Sequence, residues 1–297
     1  MSTALGYRAF GTAEVQEFFD RPDPAPGPHE VLVRVAAAGV NPLDHLLRSG
    51  HVPDLSGDLP FPRVIGMEAA GTVLATGKDV TGLGVGDRVT GFALTGAGTY
   101  AETTLLLGES TARIPDTLPW TWAATIPVAG TTALDVLDQL DLELGAALLV
   151  NGIGGGVGIA VAQLARDRGL VVTGTGSAAK RGLATKYGAA FIDYTAGSVV
   201  GRFDAVVDTV GGQSLREVAP LTRKLISVGD QSVTELGGEF VRRRVDRTGL
   251  ERVAELMAEG RLDPHITETY PLARAQEALA LVESRHAAGK LVIDLSR

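Results

Sequence analysis

Residues 146–158 constrain the fold of this 297-residue chain more than any other segment. An unbroken apolar run, Ala146-Ala147-Leu148-Leu149-Val150, leads into Asn151-Gly152-Ile153-Gly154-Gly155-Gly156-Val157-Gly158, and a stretch of helical period follows over 159–168. An apolar run of that length reads as a strand buried on both faces. Glycines tolerate positive φ and let an anion approach the backbone, and a helix that starts there aims its unpaired N–H groups at that anion. Strand, glycine turn and helix in this order predict one βαβ crossover of a parallel sheet.

The alternation continues after that segment. Residues 170–173, 189–192, 204–207 and 224–228 read as further strands, with a helix over 179–187. Before Pro119 the pattern is different. Short strands over 31–35, 71–75 and 88–92 are separated by glycine-bearing turns, after a proline-rich connector at 22–28 that cannot donate to a sheet ladder. Residues 123–140 are helical around a break at Pro127 and Gly130. The tail holds helices over 250–259 and 273–284 and a last strand over 290–295. A chain of this length also suits two cores better than one.

Composition removes several function classes. Lys and Arg total 27 against 35 Asp and Glu, a net charge of −8, which argues against a nucleic acid or anionic membrane partner. No cysteine is present, so disulfides, thiol nucleophiles and cysteine-bearing zinc sites are excluded. The first residues lack a secretory pattern, and no apolar stretch approaches the ~20 residues of a transmembrane helix. The expected compartment is the cytoplasm.

The glycine cluster sits where a dinucleotide pyrophosphate would bind, although Ile153 stands at the first glycine of the G-x-G-x-x-G pattern. After the next strand the chain reads Gly174-Thr175-Gly176-Ser177-Ala178-Ala179-Lys180-Arg181. A carboxylate there would accept the ribose hydroxyls of NAD and repel a 2′-phosphate. This chain offers a hydroxyl and two cations instead, so the expected cofactor is NADPH.

Taken in order, Gly39-Val40-Asn41-Pro42-Leu43-Asp44, Gly66-Met67-Glu68-Ala69-Ala70-Gly71-Thr72-Val73, Gly86-Asp87-Arg88-Val89, Gly155-Gly156-Val157-Gly158 and Gly289-Lys290-Leu291-Val292 resemble the quinone oxidoreductase branch of the medium-chain dehydrogenase/reductases over nearly the full chain. The resemblance implies an α/β protein in two parts. A GroES-like β-rich catalytic domain over 1–121 is completed by 264–297, and a Rossmann doubly wound parallel sheet over 122–263 binds NADP. It also implies a homodimer, through a Rossmann edge strand around 240–245 that the run Arg242-Arg243-Arg244 makes less inviting.

Site residues follow from the matching motifs. Asn41 and Thr132 (in Gly130-Thr131-Thr132-Ala133) are similar in position to family residues beside the nicotinamide ribose and ring, and are the catalytic candidates. Gly155, Gly156 and Val157 fall at the pyrophosphate; Gly176, Ser177, Lys180 and Tyr194 fall around the adenosine 2′-phosphate. Ser227 and Gly229 close the fifth strand where the cofactor passes. Thr132 also suits a turn cap, and Tyr194 also suits packing at a sheet edge.

Zinc-bearing relatives carry cysteine where this chain has Asn41 and histidine where it has Met67. Amide and thioether are poor zinc donors, and none of the five histidines has ligand spacing, so no metal is expected. Without a Lewis acid, alcohol oxidation loses its alkoxide stabilisation, whereas a quinone or enone delocalises the charge that a hydride brings. The expected activity is NADPH-dependent reduction of a quinone or α,β-unsaturated carbonyl compound. The alternatives are an enoyl-thioester reductase and a non-catalytic NADPH-binding protein. Leu46 replaces a tyrosine often found beside the substrate in this branch, which leaves the proton donor open. The stretch 194–204 is too short for the helix that usually follows there.

Overall fold

In the computed structural model, which describes residues 1–52, 60–93 and 97–296, strand β1 (Ser2–Tyr7) pairs antiparallel with β2 (Gln16–Arg21) and with β4 (Arg63–Val64). The longest strand, β3 (Glu30–Val40), alternates buried and more exposed positions through Val35 and is continuously buried over 37–40. Its second half is therefore covered on both faces. A seven-stranded sheet is built around β3 from β5 (Glu68–Thr76), β6 (Arg88–Phe92), β7 (Thr103–Leu107), β8 (Thr111–Arg113), β15 (Ile266–Tyr270) and β16 (Lys290–Asp294). β16 runs antiparallel to β3 with Leu291 opposite Val40. That register brings Lys290 to the end of β3, where helix α1 (Pro42–Ser49) begins. Short α2 (Trp120–Ala123), α7 (Arg247–Ala258) and α8 (Ala275–Glu283) belong to the same unit, which comprises Met1–Val128, Val245–Ala258 and Ile266–Arg297.

The second unit comprises Ala129–Arg244 and Glu259–His265. Its six strands lie in the order β11 (Ala190–Asp193), β10 (Val171–Gly176), β9 (Ala147–Asn151), β12 (Ala205–Asp208), β13 (Leu225–Ser227), β14 (Glu239–Phe240), and every pair is parallel. Leu148, Leu149 and Val150 of the central strand are completely buried, as expected of a strand covered on both faces. α4 (Gly156–Asp167) connects β9 to β10 and α5 (Arg181–Lys186) connects β10 to β11; α3 (Thr131–Leu140) and α6 (Gly212–Val218) complete the helices. This is the Rossmann-type doubly wound sheet that the sequence resemblance implied, and the first unit is the β-rich GroES-like part.

Two expectations are corrected in detail. The unit boundaries differ from 121/122 and 263/264: helix α7 groups with the first unit. Its Arg247 donates to the backbone carbonyls of Thr81, Gly108 and Thr111, anchoring the helix there. The edge strand expected around 240–245 is only Glu239–Phe240. Beyond it, Arg243 and Arg244 turn back onto buried Asp135 of α3, at 3.1 and 2.9 Å, instead of continuing a ladder. Residues 194–204 form turns and bends without a helix, in keeping with their shortness.

Candidate functional site

The first unit gathers five buried polar side chains at the end of β3. Pro42 at the first helical position and Asp44 two residues on are a helix-start signature, and Asn41 caps α1. The Asp44 carboxylate accepts the Asn41 backbone N–H at 2.8 Å and the Tyr100 hydroxyl at 2.9 Å. The Asn41 side chain is also held by two charged partners: Nδ2 donates to Glu68 Oε1 at 2.8 Å and Oδ1 accepts from Lys290 Nζ at 2.7 Å. Lys290 also reaches Glu68 Oε1 at 2.8 Å and the Val40 carbonyl at 3.2 Å. Glu68 Oε2 takes the Val128 N–H at 2.7 Å. Gly39 makes this arrangement possible, because a Cβ there would collide with the Glu68 carboxylate.

None of the five (Asn41, Asp44, Glu68, Tyr100, Lys290) is more than 4% exposed. Burial pushes the Asp44 carboxyl up to about 7, against the opposing pull of its hydrogen bonds from Asn41 and Tyr100; nearby Glu68 adds to the rise and Lys290 subtracts from it. The second carboxyl oxygen of Asp44 is buried with no hydrogen-bond partner, which suits a protonated acid better than an anion. Tyr100 is pushed well above its ordinary range, first by burial and then by Asp44. Among the described residues no group of three His, Cys, Asp or Glu side chains could hold a metal ion.

In the second unit the glycine loop forms a cradle between β9 and α4. Gly152 takes the left-handed turn at φ 88°. Ile153, at the first position of the glycine fingerprint, needs no such freedom: it is fully buried and lies over Gly174, whose missing Cβ makes the room. A Cβ on Gly158 would collide with the Gly152 carbonyl, so that glycine lets α4 approach the loop. Gly155 caps α4 with no side-chain cap, and a Cβ there would meet only the Gly152 oxygen at 4.0 Å. Its open face and the N–H groups of Gly156 and Val157 behind it fit a pyrophosphate.

Lys180 lies along this cradle. Its side chain would touch a Cβ on Gly154 at 2.9 Å and one on Gly176 at 3.1 Å, so both glycines leave it space. Partial burial lowers its pKa from the ordinary lysine value. Ser177 precedes the 3-10 turn that ends at Lys180, while Arg181 stacks over Phe191 at 4.9 Å. Tyr194 is 55% exposed, its N–H on the Gly176 carbonyl at 3.3 Å. These sequence-derived residues therefore converge at the ends of β10 and β11.

Ser227 and Thr132 have different surroundings. Ser227 is fully buried and donates its hydroxyl to Asp208 at 2.7 Å. Asp208 also accepts from Asn151 Nδ2 at 2.7 Å and from the Gly211 N–H at 3.1 Å. This network joins the ends of β9, β12 and β13; it engages the Ser227 hydroxyl, and the Ser227 carbonyl accepts the Val241 N–H at 3.0 Å. Gly229 follows in a turn, its N–H 3.4 Å from Ser227 Oγ. Thr132 is buried in the first turn of α3, behind Thr131, which accepts from Arg243 at 2.6 Å. Asp208, Tyr100 and Lys290 were not among the sequence-derived candidates; of these only Lys290 stands inside a quoted motif.

Comparison with known proteins bears on the family and the fold. An alcohol dehydrogenase GroES-like domain family matches residues 27–116, and a zinc-binding dehydrogenase family matches 187–293. The chain is 30% identical over 325 residues to the quinone oxidoreductase of Sus scrofa, covering 99% of this chain and 98% of that protein. It is 33% identical over 282 residues to the 2-methylene-furan-3-one reductase of Solanum lycopersicum, covering 89% and 71%. With the pikromycin polyketide synthase component PikAII of Streptomyces venezuelae it shares 32% identity over 308 residues, 92% of this chain but 8% of that protein's length. The quinone oxidoreductase structure from Coxiella burnetii superposes with a TM-score of 0.92 at 28% identity, covering 99% of each chain. Mycobacterial Rv1454c, complexed with NADPH, superposes at 0.85 and 27% identity, covering 99% and 100%.

Proposed function

The chain belongs to the quinone oxidoreductase branch of the medium-chain dehydrogenase/reductase family, and we propose that it reduces quinones or α,β-unsaturated carbonyl compounds by hydride transfer from NADPH, without zinc. The observation that carries this reading is the Asn41–Glu68–Lys290 cluster. Where zinc-bearing relatives supply metal ligands, this chain has an amide and a thioether, and an ammonium is already bound to the amide and to the neighbouring carboxylate. A fixed cation there repels a second one. Addition of hydride to a conjugated acceptor spreads the new charge over the acceptor itself, so the protein has only to bind, orient and exclude water.

Bound NADPH supplies the hydride. Gly155, Gly156 and Val157 would hold its pyrophosphate at the start of α4, and Ser177 and Lys180 its 2′-phosphate, beside Gly176 and Tyr194. Ser227 and Gly229 would close the strand end along which it passes. Asn41 and Thr132 would meet the nicotinamide end. The absence of a carboxylate at the end of β10 and the NADPH complex of the mycobacterial relative support this choice of cofactor. The reading includes a homodimer acting in the cytoplasm on a small conjugated substrate.

A cofactor-oxidation screen of purified protein tests it, with quinones, enones, enoyl thioesters and unconjugated aldehydes supplied at equal concentration. Turnover of quinones or enones is the expected result. Turnover of unconjugated aldehydes alone would overturn the reading, and turnover of enoyl thioesters alone would move the substrate class.

A further inference from the structure

The ammonium of Lys290 has three N–H donors, and the three acceptors around it (Asn41 Oδ1, Glu68 Oε1 and the Val40 carbonyl) use all of them. It therefore has no donor left for a substrate. We propose that Lys290 is a positioning residue, which together with Glu68 locks the Asn41 side-chain amide in one orientation so that its remaining N–H points in a single direction. The proposal rests on the reading above only in taking Asn41 to lie beside the reacting centre.

A side-chain amide is nearly symmetric in shape, so its two flipped orientations are distinguished by their partners alone. Here the partners carry opposite charge. In the observed orientation Oδ1 faces the ammonium and Nδ2 faces the carboxylate, two charge-assisted hydrogen bonds. The flipped amide would set N–H groups against the ammonium and a carbonyl oxygen against the carboxylate. In a cluster with both charged groups at 4% exposure or less, weak screening makes that exchange of two attractions for two repulsions severe. Glu68 takes one of the two Nδ2 hydrogens, and the amide plane then fixes the direction of the other. A donor held in place before the substrate arrives needs no reorganisation during the reaction.

The arrangement depends on pairing across the chain. Lys290 reaches Asn41 only through the register of β16 on β3, and Glu68 fits only because residue 39 is glycine.

The test uses the full chain and removes both charges together, because Lys290→Met alone would strand a buried carboxylate and unfold part of the population. Lys290→Met/Glu68→Gln keeps the volume, and the glutamine can pair with Asn41 in either orientation. Thermal unfolding, NADPH affinity, kcat and KM for 1,4-benzoquinone are measured in the Asn41 and the Asn41→Ala backgrounds. The expected result is a melting temperature close to wild type, kcat lower by about tenfold or more, and no further loss of kcat when Asn41 is already alanine. Recovery of kcat along with stability, or an equal loss in the Asn41→Ala background, would overturn the proposal. Should wild type turn over no acceptor, the functional reading fails. Lys290 is then judged by atomic-resolution crystal structures, which should show one Asn41 orientation in wild type and both in the double variant. A single unchanged orientation in the variant contradicts it.

Discussion

The backbone N–H of Asn41 and the carboxylate of Asp44 meet at 2.8 Å, so the residue that caps α1 and the residue that closes its first turn hold each other in a buried setting. Because the carboxylate is buried as well as bonded, its titration is displaced from the ordinary 3.8 to about 7. The folded protein thus binds this proton more tightly than the unfolded chain does. The stability contributed by protonated Asp44 is complete below about 3.8 and is lost as pH rises through about 7, with a slope of up to ~1.4 kcal/mol per pH unit.

Asp44→Asn keeps an acceptor for both hydrogen bonds and removes the charge. The stability of the variant relative to wild type should therefore rise between pH 5 and pH 8, then level off. Denaturant unfolding of both proteins across that range measures the difference, with other carboxylates cancelling. Parallel stability curves would show that Asp44 titrates in its ordinary range.

Gly155 and Gly158 should separate cofactor binding from folding. Alanine at 158 meets the Gly152 carbonyl and should cost about 1–3 kcal/mol of stability. Alanine at 155 has room and should cost under about 1 kcal/mol, the penalty of a poorer N-cap. The methyl group at 155 would stand where a pyrophosphate approaches, so NADPH affinity should fall about tenfold or more. Thermal unfolding together with cofactor titration distinguishes the two effects. A Gly155→Ala protein that binds NADPH like wild type would remove the pyrophosphate from this helix start.

Elemental analysis of protein purified without chelator should give far less than one zinc per chain, and dialysis against EDTA should leave quinone turnover unchanged. Asn41 is committed to Lys290 and Glu68, and Met67 offers only a thioether. One tightly held zinc per chain, lost together with activity, would contradict this account of the cluster.

The parallel sheet is legible in the sequence because β9 is apolar from Ala147 to Val150, as burial on both faces demands. The start of α1 also carries a local signal, Asn41-Pro42 with Asp44 behind and Gly50 at its end, where the backbone turns left-handed at φ 75°. The glycine fingerprint is legible only approximately: the left-handed turn falls on Gly152, and the fingerprint position holds Ile153 because Gly174 opens a space for it. Long-range pairings leave no local trace. Lys290 meets Asn41 across 249 residues and Tyr100 meets Asp44 across 56, so neither partnership follows from spacing. The shortening of β14 likewise depends on Asp135 capturing Arg243 and Arg244.

Reduction with NADPH as the donor is measured by the ratio of kcat/KM for NADPH over NADH with 1,4-benzoquinone, in wild type and in Lys180→Ala. The Lys180 side chain lies along Gly154 and Gly176, beside a strand end that carries no carboxylate. Losing one charge-assisted contact to the 2′-phosphate should cost about 1.5–3 kcal/mol, roughly tenfold to more than a hundredfold. Wild type should prefer NADPH, and Lys180→Ala should erode that preference by this factor with NADH turnover little changed. A wild-type preference for NADH, or an equal loss with both cofactors, would contradict the account.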